Sequence, residues 1–302
     1  MRTLILSMAL ATLLAACASA PKVAPAPAAP AEPATPAPAA PPGPPANDNL
    51  NAVVWTQTAF EHDLIYREVY RRAGEKLGAA LKDRSWDALP KSDRKSANVA
   101  RLKPAIIVDI DETVLDNSPY EARQMREEKT HDSNGWADWC REKSAKALPG
   151  AREFAQLAAK RGVTIFYISN RTKDLADVTL ENLRTEGFPI AANETVFLGL
   201  GAAVDGCTPV GNSKSCRREL VGRKYRVVMM FGDQLGDFVD LSPNTPDGRR
   251  AAIEPYADWV GERWFVLPNP MYGSWETALF NNDLSLGVPA RRKAKLDALR
   301  TQ

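Results

Sequence analysis

Five short apolar runs, separated by longer polar and amphipathic stretches, set the pattern of this chain. They span residues 105–108, 163–168, 195–198, 227–231 and 264–267. Each run has the length of a buried strand, and the stretch 150–161 before the second run has a helical pattern. Strands that alternate with helices indicate a parallel sheet covered by helices on both faces. We therefore predict an α/β fold, a Rossmann-like parallel sheet with flanking helices.

Two further stretches predict helical additions to this sheet. Apolar residues recur at three- and four-residue steps from Leu50 to Leu81, which indicates a long amphipathic helix. Residues 112–149 follow the first strand as an insertion and carry two tryptophans. We predict that segments 48–98 and 112–149 supply a smaller, mainly helical cap within one folded region, residues 48–302.

Residues 1–16 have the pattern of a bacterial export signal. Arg2 precedes an apolar stretch, residues 4–14, that is too short to span a bilayer as a helix. The Leu-Ala-Ala-Cys sequence that ends at Cys17 resembles the lipobox, in which the cysteine is lipidated and becomes the mature N-terminus. The resemblance implies a lipid anchor and, in Gram-negative bacteria, a place on either face of the outer membrane. Ordinary cleavage near Ala20 is the alternative.

Proline is concentrated just after this signal. Of 23 prolines, eleven lie between residues 21 and 45, in a segment made almost wholly of alanine and proline. Such a composition cannot bury enough apolar surface to fold, and it favours extended polyproline II. We predict a tether, residues 17–47, that could hold a domain up to ~90 Å from the lipid at about 3.1 Å per residue. A proline-rich ligand for a partner protein is the alternative.

The charge of the chain excludes one broad class of function. The formal net charge is +2, and only Arg2, Lys22 and Glu32 carry charge before residue 48. A nearly neutral folded region rules out binding of nucleic acid polymers through bulk electrostatic attraction. The 44% apolar share and the seven tryptophans exclude a disordered chain.

Polar and acidic clusters follow three of the five predicted strands. Asp109 and Asp111 come directly after the first, residues 169–171 end the second, and residues 232–237 end the fourth. In open α/β sheets ligands bind beyond the carboxyl ends of the strands, so these clusters should meet at one edge. Crowded carboxylates favour a cation, and Mg²⁺ combines one or two carboxylates with substrate phosphate. The sequence therefore predicts an active site with Mg²⁺ as cofactor.

The order of these motifs resembles the haloacid dehalogenase superfamily. Residues 109–120, Asp-Ile-Asp-Glu-Thr-Val-Leu-Asp-Asn-Ser-Pro-Tyr, resemble more narrowly the class C acid phosphatases, bacterial lipoproteins often described as outer-membrane 5′-nucleotidases. Residues 55–58, 167–171 and 267–276 support this narrower resemblance, which runs from about residue 50 to 286. It implies a haloacid dehalogenase-like fold and a phosphatase that hydrolyses small phosphomonoesters, 5′-nucleotides above all.

The same resemblance implies a role for each motif residue. Asp109 would attack phosphorus and form an aspartyl-phosphate, and Asp111 would act as general acid and then as general base. The Asp109 carboxylate, the Asp111 carbonyl and Asp233 would hold Mg²⁺, while Asp237 would orient water on the ion. Ser169 would donate hydrogen bonds to the phosphoryl oxygens.

A lysine and two neighbours of Ser169 complete the predicted phosphate site. Lys214 opens a helical stretch, where a cation opposes the helix dipole unless it faces a bound anion. Lys173 and Lys224 are competing candidates for the same role. We also predict that Asn170 and Arg171 contact the substrate.

Three aromatic residues are candidates for a specificity pocket. Trp136 lies in the predicted cap, and Tyr272 and Trp275 lie in a loop with two prolines and a glycine. A nucleobase or nicotinamide ring could stack between such side chains. Core packing is the alternative for each of them.

Cysteines and histidines narrow the chemistry further. Besides Cys17 the chain has Cys140, Cys207 and Cys216, and the last two flank a loop and could form a disulfide. Three reduced thiols are the alternative. No Cys-x-x-Cys motif exists and only two histidines are present, which disfavours a zinc cluster, a histidine phosphatase and a His-ligated metalloprotease.

Two rival functions remain open at this stage. A non-catalytic surface lipoprotein that binds nucleotide or metal would have no need for a general acid at the spacing of Asp109 and Asp111. Phosphonate hydrolysis, dehalogenation or phosphotransfer could use the same scaffold, although a dehalogenase would not need Asp111.

Overall fold

A five-stranded parallel sheet, in the order β5-β4-β1-β6-β7, forms the centre of the computed structural model, which describes residues 47–96 and 98–302. A two-stranded antiparallel ribbon, β2-β3, lies apart from it. The strands are β1 Lys103–Val108, β2 Leu115–Asp116, β3 Lys146–Ala147, β4 Thr164–Thr172, β5 Phe197–Leu200, β6 Tyr225–Gly232 and β7 Trp264–Val266. Each predicted apolar run overlaps a strand of the main sheet, although β5 begins two residues later than its predicted run, and the predicted α/β fold is confirmed.

Ten α-helices accompany these strands within the described ranges. They are α1 Leu50–Thr58, α2 Phe60–Lys82, α3 Ser118–Arg126, α4 Ser133–Glu142, α5 Ala151–Lys160, α6 Ala176–Thr185, α7 Ser215–Lys224, α8 Pro246–Ile253, α9 Ser274–Thr277 and α10 Val288–Asp297. Helices α2, α5, α6 and α7 pack against strands of the main sheet. The insertion 112–149 contains α3, α4 and the ribbon.

The register of the central strands aligns the ends that carry the motifs. Val108 of β1 pairs with Tyr167 of β4 and with Phe231 of β6. The next residue, Asp109, donates its backbone N–H to the Phe231 carbonyl at 3.0 Å. The polar residues that follow each of these strands therefore start from one row across the sheet.

The N-terminal helix differs from the sequence prediction in two ways. It is interrupted at Ala59, whose extended backbone (ψ 118°) separates α1 from α2. Leu50, Val54, Phe60 and Leu64, which belong to the predicted apolar stripe, are exposed. Tyr70, Ala73 and Leu77 of the predicted stripe are buried as expected, and His62, Tyr66 and Ala80 complete the buried face of α2. Tyr66 and Tyr70 on this face also donate hydrogen bonds to backbone carbonyls of the interior.

Several predictions lie outside the described residues. The export signal, Cys17 and nearly all of the tether belong to residues 1–46. Among residues 47–96 and 98–302, no helix combines the length and the apolar character that a membrane crossing requires.

Candidate active site

Three carboxylates converge beyond the ends of β1 and β6. Asp109 follows β1, and Asp233 and Asp237 follow β6. One carboxylate oxygen from each lies within 4.8 Å of the others. Asp109 and Asp237 are buried, and Asp233 is half-buried. Oxygen donors at this separation suit a hard divalent cation, so the residues fit the predicted Mg²⁺ site.

Lys214 is the lysine that reaches this cluster. It directly precedes α7, and its Nζ donates to Asp109 Oδ1 at 2.5 Å and to Asp237 Oδ1 at 2.6 Å. Burial lowers the pKa of Lys214, but the two carboxylates outweigh burial and the net shift is upward. Lys173 and Lys224 line a separate cavity of about 470 Å³. Of the three candidate lysines, Lys214 is therefore the one placed beside Asp109.

The electrostatics of the cluster explain why it would attract a cation. Burial raises the pKa of Asp109 well above its usual range, and the carboxylates of Asp237 and Asp233 add to the rise against the opposing effect of Lys214. Burial, followed by the neighbouring Asp237, raises the pKa of Asp233 to about 6. A divalent cation would stabilise the charged form of each carboxylate and reverse these shifts.

Asp111 has different partners from Asp109. Ser169 Oγ donates to Asp111 Oδ2 at 3.1 Å. Arg171 donates to Asp111 Oδ1 through Nε at 2.9 Å and through Nη2 at 2.8 Å. Ser169 and Arg171 are both buried strand residues of β4, and the guanidinium lies 5.6 Å from the centre of the Trp136 ring. The geometry thus places the predicted substrate residue Arg171 against the candidate general acid.

Asn117 connects Asp111 and Arg171 to Trp139 of the insertion. Its Nδ2 donates to Asp111 Oδ1 at 2.9 Å, and its Oδ1 accepts from Trp139 Nε1 at 2.8 Å and from Arg171 Nη2 at 3.2 Å. Its backbone N–H donates to Glu112 Oε1 at 2.7 Å. Burial, with the nearby Asp111 carboxylate, raises the pKa of Glu112 well above its usual range. The carboxyl groups of Asp111 and Glu112, both in the loop after β1, therefore each accept a hydrogen bond from Asn117.

Two tyrosines of α2 hold the backbone of the same loop. Tyr66 Oη donates to the Glu112 carbonyl at 2.5 Å, and Tyr70 Oη donates to the Thr113 carbonyl at 2.7 Å. Glu112 has a positive φ of 55°, a conformation that few non-glycine residues adopt. Burial raises the pKa of both hydroxyls, so they stay protonated as donors. The two hydrogen bonds help to hold this unusual turn next to Asp111.

The chain matches a known protein family over most of its length. The model of the HAD superfamily, subfamily IIIB (acid phosphatase), matches residues 50–275, which is most of the chain. The chain belongs to this family. The predicted resemblance to haloacid dehalogenase-like acid phosphatases is thereby confirmed at the level of the family.

Two solved structures of an acid phosphatase are similar to this chain in sequence and in fold. The class C acid phosphatase from Bacillus anthracis with tungstate bound is 34% identical, with a TM-score of 0.71, over 84% of this chain and 97% of that one. A second structure of the same enzyme has a TM-score of 0.72. The narrower resemblance to the class C enzymes therefore extends to the three-dimensional fold.

Two plant relatives are less similar in sequence to this chain than the Bacillus anthracis enzyme is. Acid phosphatase 1 of Solanum lycopersicum is 28% identical over 166 residues, 55% of this chain and 57% of the relative. Vegetative storage protein 1 of Arabidopsis thaliana is 30% identical over 169 residues, 55% of this chain and 54% of the relative. The chain thus spans little more than half the length of these relatives. Their names include an enzyme and storage proteins, so the site residues have to decide between catalysis and binding.

The remaining predicted residues differ in their exposure and in the groups they contact. Asn170 is exposed on β4, and its Oδ1 accepts from Arg217 Nη2 at 2.7 Å. Trp136 is half-buried against Tyr120 and Arg171. Tyr272 is half-buried, and its hydroxyl has no hydrogen-bond partner among the described residues. Trp275 is 38% exposed and donates to the Tyr272 carbonyl at 3.2 Å. Their substrate roles stay predictions.

Arg217 is a site residue that the sequence did not reveal. It lies one turn after Lys214 and is buried. Its Nη1 donates to the Ser169 carbonyl at 2.6 Å, and its Nη2 donates to the Ser213 carbonyl at 3.2 Å. Burial lowers the pKa of this guanidinium to about 10. Because arginines on a helix are usually exposed, no local signal distinguished Arg217 from its neighbours.

A disulfide constrains the loop that precedes α7. Cys207 and Cys216 form a disulfide, which decides between the two alternatives that the sequence left open. The loop it closes contains Lys214. Cys140 is a buried free thiol, and burial raises its pKa to about 12.

Proposed function

We propose that this protein is a Mg²⁺-dependent acid phosphatase that hydrolyses phosphomonoesters, 5′-nucleotides among them, through an aspartyl-phosphate. One observation carries the proposal. Asp109 lies against Lys214 in a cluster of carboxylates, while Asp111 is held separately by Ser169 and Arg171. A site with a nucleophile, a distinct acid and a cation-binding cluster is what phosphomonoester hydrolysis through a covalent intermediate needs.

In the first half of the reaction, an Asp109 carboxylate oxygen attacks phosphorus and the bond to the ester oxygen breaks. Asp111 gives a proton to the departing alkoxide, so that a neutral alcohol leaves. Lys214, 2.5 Å from Asp109, offsets negative charge around the nucleophile. Ser169, whose hydroxyl lies beside Asp111, can donate to a phosphoryl oxygen.

In the second half, water hydrolyses the aspartyl-phosphate. Asp111, now a carboxylate, accepts a proton from the water as its oxygen attacks phosphorus. The bond between phosphorus and Asp109 breaks, and inorganic phosphate leaves. Arg171 and Asn117 keep Asp111 in one position through both proton transfers.

The Asp109 and Asp233 carboxylates and the Asp111 backbone carbonyl would hold Mg²⁺, with Asp237 close by. The ion would neutralise charge as the anionic nucleophile meets the anionic phosphate. The carboxylate cluster beyond β1 and β6 supports this part of the proposal.

Two observations bear on the substrate class. The Bacillus anthracis enzyme binds tungstate, a tetrahedral oxyanion like phosphate. Trp136, Tyr272 and Trp275 offer aromatic surface on which a nucleobase could stack, and Asn170 is exposed beside the site. We therefore favour 5′-nucleotides over simple alkyl phosphates.

Phosphate release by the purified full-length protein tests the proposal. We expect Mg²⁺-dependent release from AMP, nicotinamide mononucleotide and 4-nitrophenyl phosphate that a chelator abolishes. Asp109→Asn should abolish turnover in a protein whose circular dichroism matches the wild type. Near-normal turnover by Asp109→Asn would refute the nucleophile. Nucleotide binding without phosphate release by the wild type would favour the non-catalytic lipoprotein.

We also propose that Cys17 is lipidated and anchors the protein in the outer membrane, with residues 18–47 as the tether. The lipobox-like sequence before Cys17 and the alanine- and proline-rich composition support this. Mass spectrometry of the mature N-terminus should find acyl chains on Cys17, and Cys17→Ser should move the protein from the membrane fraction. An unacylated mature protein would contradict the anchor and leave the catalytic proposal untouched.

A further inference from the structure

Two side-chain amides orient Asp233. Gln234 Nε2 donates to Asp233 Oδ2 at 2.8 Å, and Asn269 Nδ2 donates to the same oxygen at 2.9 Å. No hydrogen bond from the described residues reaches Oδ1 of this carboxylate. One oxygen is therefore held by neutral donors from two different loops, and the other is left for a cation.

The same two amides also hold the loop that contains Tyr272 and Trp275. Gln234 Nε2 donates to the Tyr272 carbonyl at 3.2 Å, and Gln234 Oε1 accepts from the Ser274 N–H at 3.1 Å. Asn269 Oδ1 accepts from the N–H groups of Met271 at 2.9 Å and Tyr272 at 3.3 Å. Each amide thus donates to Asp233 through its nitrogen and accepts from backbone N–H groups of residues 269–275 through its oxygen, and the Gln234 nitrogen also donates to a loop carbonyl.

Close packing at Gly273 keeps this arrangement tight. Gly273 has a φ of 147°, and a Cβ at this position would lie 2.2 Å from Gln234 Oε1. Only glycine lets the loop backbone approach the amide so closely. The side chain of Gln234 has little room for another rotamer while the loop is in place.

We propose that Gln234 and Asn269 are positioning residues that fix Asp233 for the cation and couple cation binding to the order of the loop 269–275. The inference rests on the metal-dependent phosphatase proposed above and extends it to the loop of Tyr272 and Trp275. A cation that binds one Asp233 oxygen favours the rotamer in which the other oxygen meets both amides. By thermodynamic linkage, an ordered loop must strengthen cation binding by the same factor.

Calorimetric titration of the metal-stripped, full-length protein with Mg²⁺ measures this effect without relying on activity. Gln234→Met and Asn269→Leu are neutral replacements of similar size that remove the donors to Asp233. We expect each to raise the Kd for Mg²⁺ by about 10- to 100-fold, the usual effect of losing a partner that orients a metal ligand.

Asn244→Leu is the matched control. Asn244 Nδ2 donates to the Ser274 carbonyl at 2.9 Å, so it holds the same loop but makes no contact with Asp233. We expect this variant to raise the Kd for Mg²⁺ by less than Gln234→Met or Asn269→Leu does, because it loosens the loop but keeps both donors to Asp233. Equal weakening by Asn244→Leu would show that loop stability alone matters and would overturn the positioning role. If the first pair of variants does not fold, Gln234→Asn and Asn269→Ser provide the same comparison with shorter polar side chains.

Hydrogen exchange of the peptide 269–275 tests the coupling itself. In the wild type, Mg²⁺ should slow exchange of the N–H groups of Met271, Tyr272 and Ser274, and in Gln234→Met this protection should disappear. Protection that persists in Gln234→Met would overturn the coupling. A wild type that binds no Mg²⁺ would overturn both this inference and the proposed function. A wild type that binds Mg²⁺ and releases phosphate, beside variants with the same Kd, would overturn the inference alone.

Discussion

Asp109 and Asp111 are separated by a single residue, yet their carboxylates have different partners. Lys214 contacts Asp109, whereas Asp111 accepts hydrogen bonds from Ser169 and Arg171. Because each carboxylate is held by its own donors, one can act as the nucleophile while the other moves protons. For these two residues, the division of hydrogen-bond partners matters more than their spacing in the sequence.

Asp111→Asn should separate the two halves of the reaction. Asparagine keeps the backbone carbonyl but cannot supply or accept the proton, so turnover of AMP should fall by about 10²- to 10⁴-fold. 4-Nitrophenolate leaves without needing a proton. With the nitrophenyl ester we therefore expect a burst of nitrophenolate followed by slow phosphate release, which rapid-mixing absorbance and phosphate assays can measure.

The control for this variant is its affinity for Mg²⁺, which should match that of the wild type because the backbone carbonyl remains. Normal turnover of AMP by Asp111→Asn would contradict the role of general acid and base. A matched loss on both esters without a burst would assign Asp111 to the first step of each.

At the scale of elements, helix α7 brings several groups to the ends of the strands. Lys214 precedes its first turn, Arg217 ties it to β4, and Cys216 joins it to the preceding loop. The disulfide encloses Lys214 in a short covalent loop. A less constrained loop would let Lys214 sample positions away from Asp109, and this would weaken the charge compensation at the nucleophile.

Replacing both paired cysteines with serine, Cys207→Ser with Cys216→Ser, should lower both stability and kcat. Losing a cross-link around so short a loop costs about 2–3 kcal/mol of unfolding free energy in the chain-entropy account. Urea denaturation and steady-state kinetics measure the two effects. A reducing agent should shift the wild type toward the double variant and leave that variant unchanged. If the reductant has no effect on the wild type, the disulfide has no part in stability.

The buried face of helix α2 differs in part from the face that its apolar pattern predicts. Its apolar positions predict a face that includes Phe60 and Leu64, which are exposed, and Tyr70, which is buried, but not Tyr66, which is also buried. Hydrophobic periodicity gives a helix but does not distinguish an aliphatic stripe from one of aromatic and small residues. The hydrogen bonds from Tyr66 and Tyr70 to the loop after β1 depend on partners far along the chain, so no local pattern could reveal them.

At the scale of the whole molecule, the carboxylate cluster makes cation binding depend on pH. Burial and the neighbouring Asp237 raise the pKa of Asp233 to about 6 in the metal-free protein, above its ordinary value of 3.8. The stability that this raised pKa contributes is present below the unfolded value and is lost as pH rises through about 6. Mg²⁺ should bind the deprotonated form and must displace a proton at lower pH.

The increase in Tm on adding Mg²⁺ should therefore be larger at pH 7.5 than at pH 5. Thermal unfolding with and without saturating chelator measures the difference at each pH. Asp233→Asn should reduce the pH dependence without abolishing it, because Asp109, whose pKa burial also raises, still titrates in the cluster. An equal increase at both pH values in the wild type would contradict the link between Asp233 and the cation.

Much of the site could be predicted from the chain because its motifs follow the strands directly. The residues after β1 and β6 need only the parallel sheet to bring them together, so Asp109, Asp111, Asp233 and Asp237 were found from their positions. The sequence favours Lys214 over Lys173 and Lys224, but only the path of the loop before α7 shows that Lys214 contacts Asp109. Arg217, Asn117 and Tyr66 escaped prediction because an arginine, an asparagine or a tyrosine gains its role only from a partner distant in sequence.

By itself, the sequence determined the alternation of strands and helices, the order of the acidic motifs and the family they indicate, since these depend on local composition and spacing. Tertiary structure alone decided which donor holds which carboxylate, whether Cys207 pairs with Cys216, and how Gln234 and Asn269 connect Asp233 to the loop 269–275. These are contacts of a few ångströms between distant parts of the chain. Their geometry depends on how all the elements pack, and neither composition nor periodicity records it.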